Sequence, residues 1–136
     1  MIDPANVPAV TEDETVARYV LSSRHVRPNG TLKPDAFIPH PYVDLSVTRH
    51  RSTTEDELWS IGDEIARERE RTLYGRGDVV VSSLISHSLT VKADPIPRNP
   101  NHAGVCGWPL EKSAQKTIAQ QVAAVAVHVS RPIAEA

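Results

Sequence analysis

Four prolines and two glycines fall within residues 94–109. That density forbids a regular helix, because proline lacks the amide a helix interior needs and its ring collides with the preceding turn. So long a stretch without secondary structure is uncommon in a compact domain. It is expected to be an ordered strap held down by Trp108, whose side chain can bury about 150–250 Å². Beyond it, Pro109 suits the first turn of a helix predicted over residues 110–130 and stopped before Pro132. Along that helix Ala114, Ile118, Val122, Val125 and Val129 step by four, four, three and four, which draws one apolar stripe. Ala119, Ala123, Ala126 and Val127 carry apolar surface round to a second face. A helix apolar on two sides points to a two-fold contact with another copy of the chain.

The remaining elements are shorter. Residues 12–21 open on Glu12, Asp13 and Glu14, charges that suit the positive end of a helix, and a short helix is expected there. Asn29-Gly30 marks a turn. Leu45, Val47 and Arg49 alternate with Ser46, Thr48 and His50, the period of a half-buried strand, so residues 35–39 and 42–50 are expected to pair antiparallel. Thr54 and Glu57 have the spacing of a capping box and start a helix. Leu58, Ile61 and Ile65 are its apolar stripe, and the acidic and arginine run between Asp63 and Arg71 reads as its solvated face. Residues 79–86 suit either a helix capped by Asp78 or, with three successive valines, a strand. Leu89, Val91 and Ala93 alternate with Thr90 and Lys92 as a further strand. These elements predict an α+β fold, a small antiparallel sheet of two to four strands with helices packed on one face and a long C-terminal helix. One domain is expected over residues 12–131, with a flexible arm at 1–11 and a tail at 132–136.

With 15 Lys and Arg against 17 Asp and Glu, the net charge is −2. No global field draws such a molecule onto nucleic acid or an anionic bilayer, so any basic site must be local. Local clusters do occur: Arg24, His25 and Arg27; Arg49, His50 and Arg51; Tyr74 and Arg76; Arg98 and His102. Guanidinium forks and imidazoles are the groups that recognise phosphate, and Arg49, His50, Tyr74, Arg76 and His102 are the anion-binding candidates. The histidines lack the three- or four-residue helical spacing of a zinc site, and Cys106 stands alone, so neither metal nor cofactor is expected. A single cysteine makes no internal disulfide, and residues 1–10 lack the basic stub and apolar stretch of a signal peptide. No apolar run approaches the ~18 residues of a membrane span. A cytoplasmic protein without membrane contact is expected. Arg76-Gly77-Asp78 and Asn29-Gly30-Thr31 match strings that act only on exported proteins, and they read here as turn chemistry.

Two function classes stay open. One is a small interaction module or accessory subunit that self-associates or holds a protein partner. The other is a small enzyme or ligand-binding domain acting on a phosphate-bearing substrate, such as a nucleotide or RNA, through the Arg/His/Tyr cluster. Surplus apolar surface on the last helix favours the first, and spacing alone assigns no catalytic residue.

Overall fold

The structure, a computed structural model, describes residues 6–132. Its strands are β1 (Thr15–Val20), β2 (Leu45–Arg49), β3 (Gly75–Val80), β4 (Thr90–Ala93), β5 (His102–Cys106) and β6 (Val127–Ser130). They form one antiparallel sheet in the order β4-β5-β2-β1-β3-β6. The helices are α1 (Glu55–Glu68), α2 (Val81–Ile85) and α3 (Lys112–Val125). The class is α+β, but the sheet has six strands rather than two to four, and its helices do not share one face. Val16, Val20, Val47, Val79 and Val105 point to one side, where Ala119 and Val122 of α3 join them. Tyr19 points to the other, against Trp59 and Ala66 of α1. There Gly62 lets α1 come close: a Cβ on it would sit 2.6 Å from the Tyr19 ring.

Each departure from the sequence reading has a local cause. Residues 12–21 contain a strand, not a helix. β1 is central and Val16, Ala17, Tyr19 and Val20 are all buried, so both faces are apolar and the two-residue period disappears. Residues 35–39 hold no strand; Pro34 opens a 3-10 turn over Pro34–Phe37. The proline-rich segment does contain a strand, β5, whose inward residues Ala103 and Val105 are fully buried. Two inward side chains flanked by glycines make too faint an alternation to read.

The predicted C-terminal helix is shorter than expected. α3 ends at Val125, and the β-branched Val127 and Val129 pair with Asp78 and Arg76 of β3. Its buried face is Gln115, Ala119 and Val122 rather than the stripe through Ala114 and Val129. Residues 79–86 divide, with Val79 and Val80 ending β3 and α2 following directly. Asp78 does not cap α2, because His50 and Arg76 hold its carboxylate.

Other expectations hold. The Thr54 hydroxyl accepts from the Glu57 amide while the Glu57 carboxylate accepts from the Thr54 amide, a complete capping box. β2 and β4 lie where alternation put them. Trp108 is buried, and its indole N–H donates to the Val105 carbonyl at 3.0 Å. Buried Gln115 donates to the Pro109 carbonyl and accepts from the His40 amide, which ties α3 to two loops. Residues 1–5 of the expected arm and 133–136 of the tail lie outside the described residues. No described helix is long and apolar enough to cross a membrane.

Candidate anion-binding site

The five anion candidates do not converge. Arg49, 1 % exposed, lies on the α3 side of the sheet, where Glu14 takes its guanidinium at 2.8 and 2.9 Å and the Pro8 and Ala9 carbonyls accept the rest. Arg76, 2 % exposed, lies on the α1 side between Glu55 and Asp78 and over the Trp59 ring. His50 contacts Asp78 through Nε2 at 3.0 Å. Tyr74 is exposed beyond the start of β3. Both arginines are therefore consumed by carboxylates inside the fold. The Arg76-Gly77-Asp78 string is a stretch of paired strand whose two charged side chains hold each other.

A different arginine is left without an acid. β1 and β2 pair only at Val16↔Arg49 and Ala17↔Thr48. Past that point the ladder opens, and the Arg18 side chain fills the gap, with Nε donating to the Ala36 carbonyl and Nη1 to the Ser46 carbonyl, each at 3.0 Å. Among the described residues no carboxylate pairs with it. Burial pushes its pKa down to about 10, and the positive charge of Arg69 adds to the shift. Arg18 is thus half-buried against two carbonyl oxygens, with the like charge of Arg69 nearby.

Arg18 lies in a cleft of about 840 Å³ together with His25, Arg69, Arg71, Arg98 and His102. Its walls are built locally. Arg69 caps α1, Glu70 follows with a positive φ of 54°, and the Arg71 amide returns to the Ala66 carbonyl at 2.8 Å. This is a Schellman ending, and it sets Arg69 and Arg71 at the negative end of the helix. His25 ends a 3-10 turn over Ser23–His25. Burial, with Arg18 and Lys33 nearby, holds its imidazole below the usual range despite Asp35. His102 pairs across the sheet with Thr48, and its Nδ1 meets the Asp94 carbonyl at 2.9 Å. Glu68 is the one acid among the described lining residues, and it is paired with Arg98.

The floor is half of the sheet. α1 covers β1, β3 and β6 through Tyr19, Arg76 and Val129. On the same side, Ser46 of β2 and Thr90 and Lys92 of β4 are exposed. A Cβ on Gly104 of β5 would meet nothing nearer than the Cys106 sulfur at 3.8 Å. Burial and Asp44 push the Cys106 thiol above its ordinary pKa, so it stays protonated and is a poor nucleophile. Among the described residues no three His, Cys, Asp or Glu side chains gather as a metal site.

Of the residues singled out in the sequence, His25, Arg98 and His102 reach this cleft. Arg18, Arg69 and Arg71 were not legible as site residues, the first because it sits within an apolar strand, the others because they end a run of alternating charge. The signal available for Arg18 was a lone cation between Val16-Ala17 and Tyr19-Val20. The interface candidates are dispersed: Ala119 is fully buried, Ala123 and Ala126 line a separate cavity of about 500 Å³, and Val127 is 62 % exposed. No family model, curated protein or solved structure matches the chain.

Proposed function

We propose that the chain is a ligand-binding domain for a phosphate-bearing anion held in the Arg18 cleft. The observation that carries this reading is the half-buried Arg18 guanidinium, which has two carbonyl partners, no acid among the described residues, and Arg69 nearby. A phosphate supplies the charge and the acceptor oxygens that such a group lacks. Calorimetry against pyrophosphate and ADP at low salt is expected to give heat that fades as salt rises. Arg18→Gln is expected to weaken binding about tenfold or more, since charged hydrogen bonds contribute about 1.5–3 kcal/mol. Arg69→Ala, at an exposed site that cannot unfold the sheet, should weaken it less. Absence of heat for both ligands at low salt overturns the proposal.

A second reading, self-association, is favoured by one observation. Val80, Val125 and Val127 are 45 %, 58 % and 62 % exposed, at the end of β3, the end of α3 and the start of the edge strand β6. Two such edges can pair about a two-fold axis. Sedimentation equilibrium at tens of micromolar should return a dimer mass that Val127→Lys reduces to a monomer; a monomer mass for the unaltered chain removes this reading.

A further inference from the structure

We propose that the anion in the Arg18 cleft is the backbone of a single-stranded nucleic acid rather than one isolated nucleotide, a step that rests on the cleft reading above. The first support is extent. The 840 Å³ cleft runs into a second groove of about 770 Å³, and the two share Arg18, Tyr42, Ser46 and Arg69. Small-ligand pockets are typically about 300–1,000 Å³, so either groove alone holds one small ligand and the pair holds a longer one.

The second support is the placement of charge. Arg18 lies in the gap between β1 and β2, Arg69 and Arg71 lie on either side of the turn that ends α1, and His102 lies on β5 opposite Thr48. Arg18 and Arg69 line both grooves and Arg71 the first alone, so a strand laid through the two keeps its phosphates against these guanidinium groups where the grooves meet, and Asp44 is the acid it passes in the second. On a molecule with net charge −2, this groove is where a polyanion can be held.

A third support is a stacking surface. Tyr42 is 74 % exposed where the two grooves meet, and an exposed ring beside cations is the usual partner of an unpaired base. Beside them Ser46, which lines both grooves, pairs with Gly104, whose missing side chain leaves the sheet surface next to the grooves open. A duplex would offer its phosphates but no free base face to Tyr42.

Fluorescence anisotropy with labelled oligouridylates of 4, 8 and 12 nucleotides, alongside calorimetry with UMP and pyrophosphate, tests the proposal. Affinity is expected to rise about tenfold or more from the shortest to the longest strand. Contacts from Arg18, Arg69 and Arg71 predict a slope of log K against log salt of about −2, which Arg69→Ala should flatten by about 0.7. Tyr42→Ala should weaken the 12-mer about fivefold or more and leave pyrophosphate unchanged. If pyrophosphate or UMP binds through Arg18 while the 12-mer binds no tighter than UMP, the strand proposal falls and the cleft reading stands. If none of these ligands binds, both fall. A poly-glutamate peptide that binds as tightly as the 12-mer also overturns the strand proposal, since charge alone would then account for binding.

Discussion

An Arg76→Ala variant is expected to lose about 3–5 kcal/mol of unfolding free energy, a large share of the roughly 5–15 kcal/mol that holds such a domain folded. The Arg76 guanidinium bonds Asp78 through Nε at 3.0 and 3.2 Å and Glu55 through Nη1 and Nη2 at 3.0 and 2.7 Å. It also lies 4.8 Å above the Trp59 ring. The two carboxylates are not equally dependent on it. Glu55 is largely exposed and can return to water, whereas Asp78 is 15 % exposed and would keep only His50. The cost therefore sits on Asp78 and on the void beside Trp59. Arg76→Met, which fills the space without the charge, should recover the packing part alone, and the difference between the two variants isolates the electrostatic part.

The same network gives a pH dependence with a definite sign. Burial pushes the Asp78 carboxyl up, but the bonds from His50 and Arg76 outweigh it and leave it below the ordinary value. Glu55 is held low by its bond to Arg76. A carboxyl depressed in the folded state stabilises fully above its unfolded value, near pH 4, and that stabilisation is lost as pH falls through the folded value. Urea unfolding followed by circular dichroism should show stability falling below about pH 4, with a shallower fall in Arg76→Ala. A midpoint unchanged by the substitution at pH 7 would mean the network does not hold α1 to the sheet.

What the sequence reveals about this chain is what its neighbours in sequence decide. The capping box of Thr54 and Glu57 is complete within four residues, and β2 and β4 each keep one wet face, so their periods are visible. β1 has both faces covered and β6 follows α3 with no glycine or proline between, so each is disguised as helix. Charge pairing is more remote still. Arg49 finds Glu14 35 residues away and Arg76 finds Glu55 21 residues away, so a reader of the sequence counts both as free cations. Arg18 is embedded among apolar residues and looks structural, yet its guanidinium bonds two carbonyl oxygens and pairs with no carboxylate among the described residues. His25 ends the first 3-10 turn and Arg69 and Arg71 flank the end of α1, while Arg98 lies within the loop between β4 and β5. Which of them meet is fixed by sheet order.

Trp108→Ala is expected to cost a further and separate 3–5 kcal/mol, because truncating a buried aromatic removes both its transfer free energy and the contacts of the cavity left behind. Trp108 is 7 % exposed and belongs to the core on the α3 side, with Val105, Leu89 and Val122. It stands at the point where β5 gives way to α3, so its indole closes the proline-rich segment onto the sheet as its N–H satisfies the Val105 carbonyl. Trp108→Phe keeps most of the volume and gives up that hydrogen bond, and should cost nearer 1 kcal/mol. The two losses are measurable as shifts of the urea midpoint at constant slope, since the surface exposed on unfolding changes little. The Arg18 cleft is walled by Ile65, Glu68 and Arg69 of α1 and meets the core that holds Trp108 at Ala36 and Val47, away from Trp108 itself, so Trp108→Phe should bind pyrophosphate as the unaltered chain does. A binding loss in Trp108→Phe as large as that of Arg18→Gln would show that the two faces are coupled through β5, where Val105 meets the core and His102 meets the cleft.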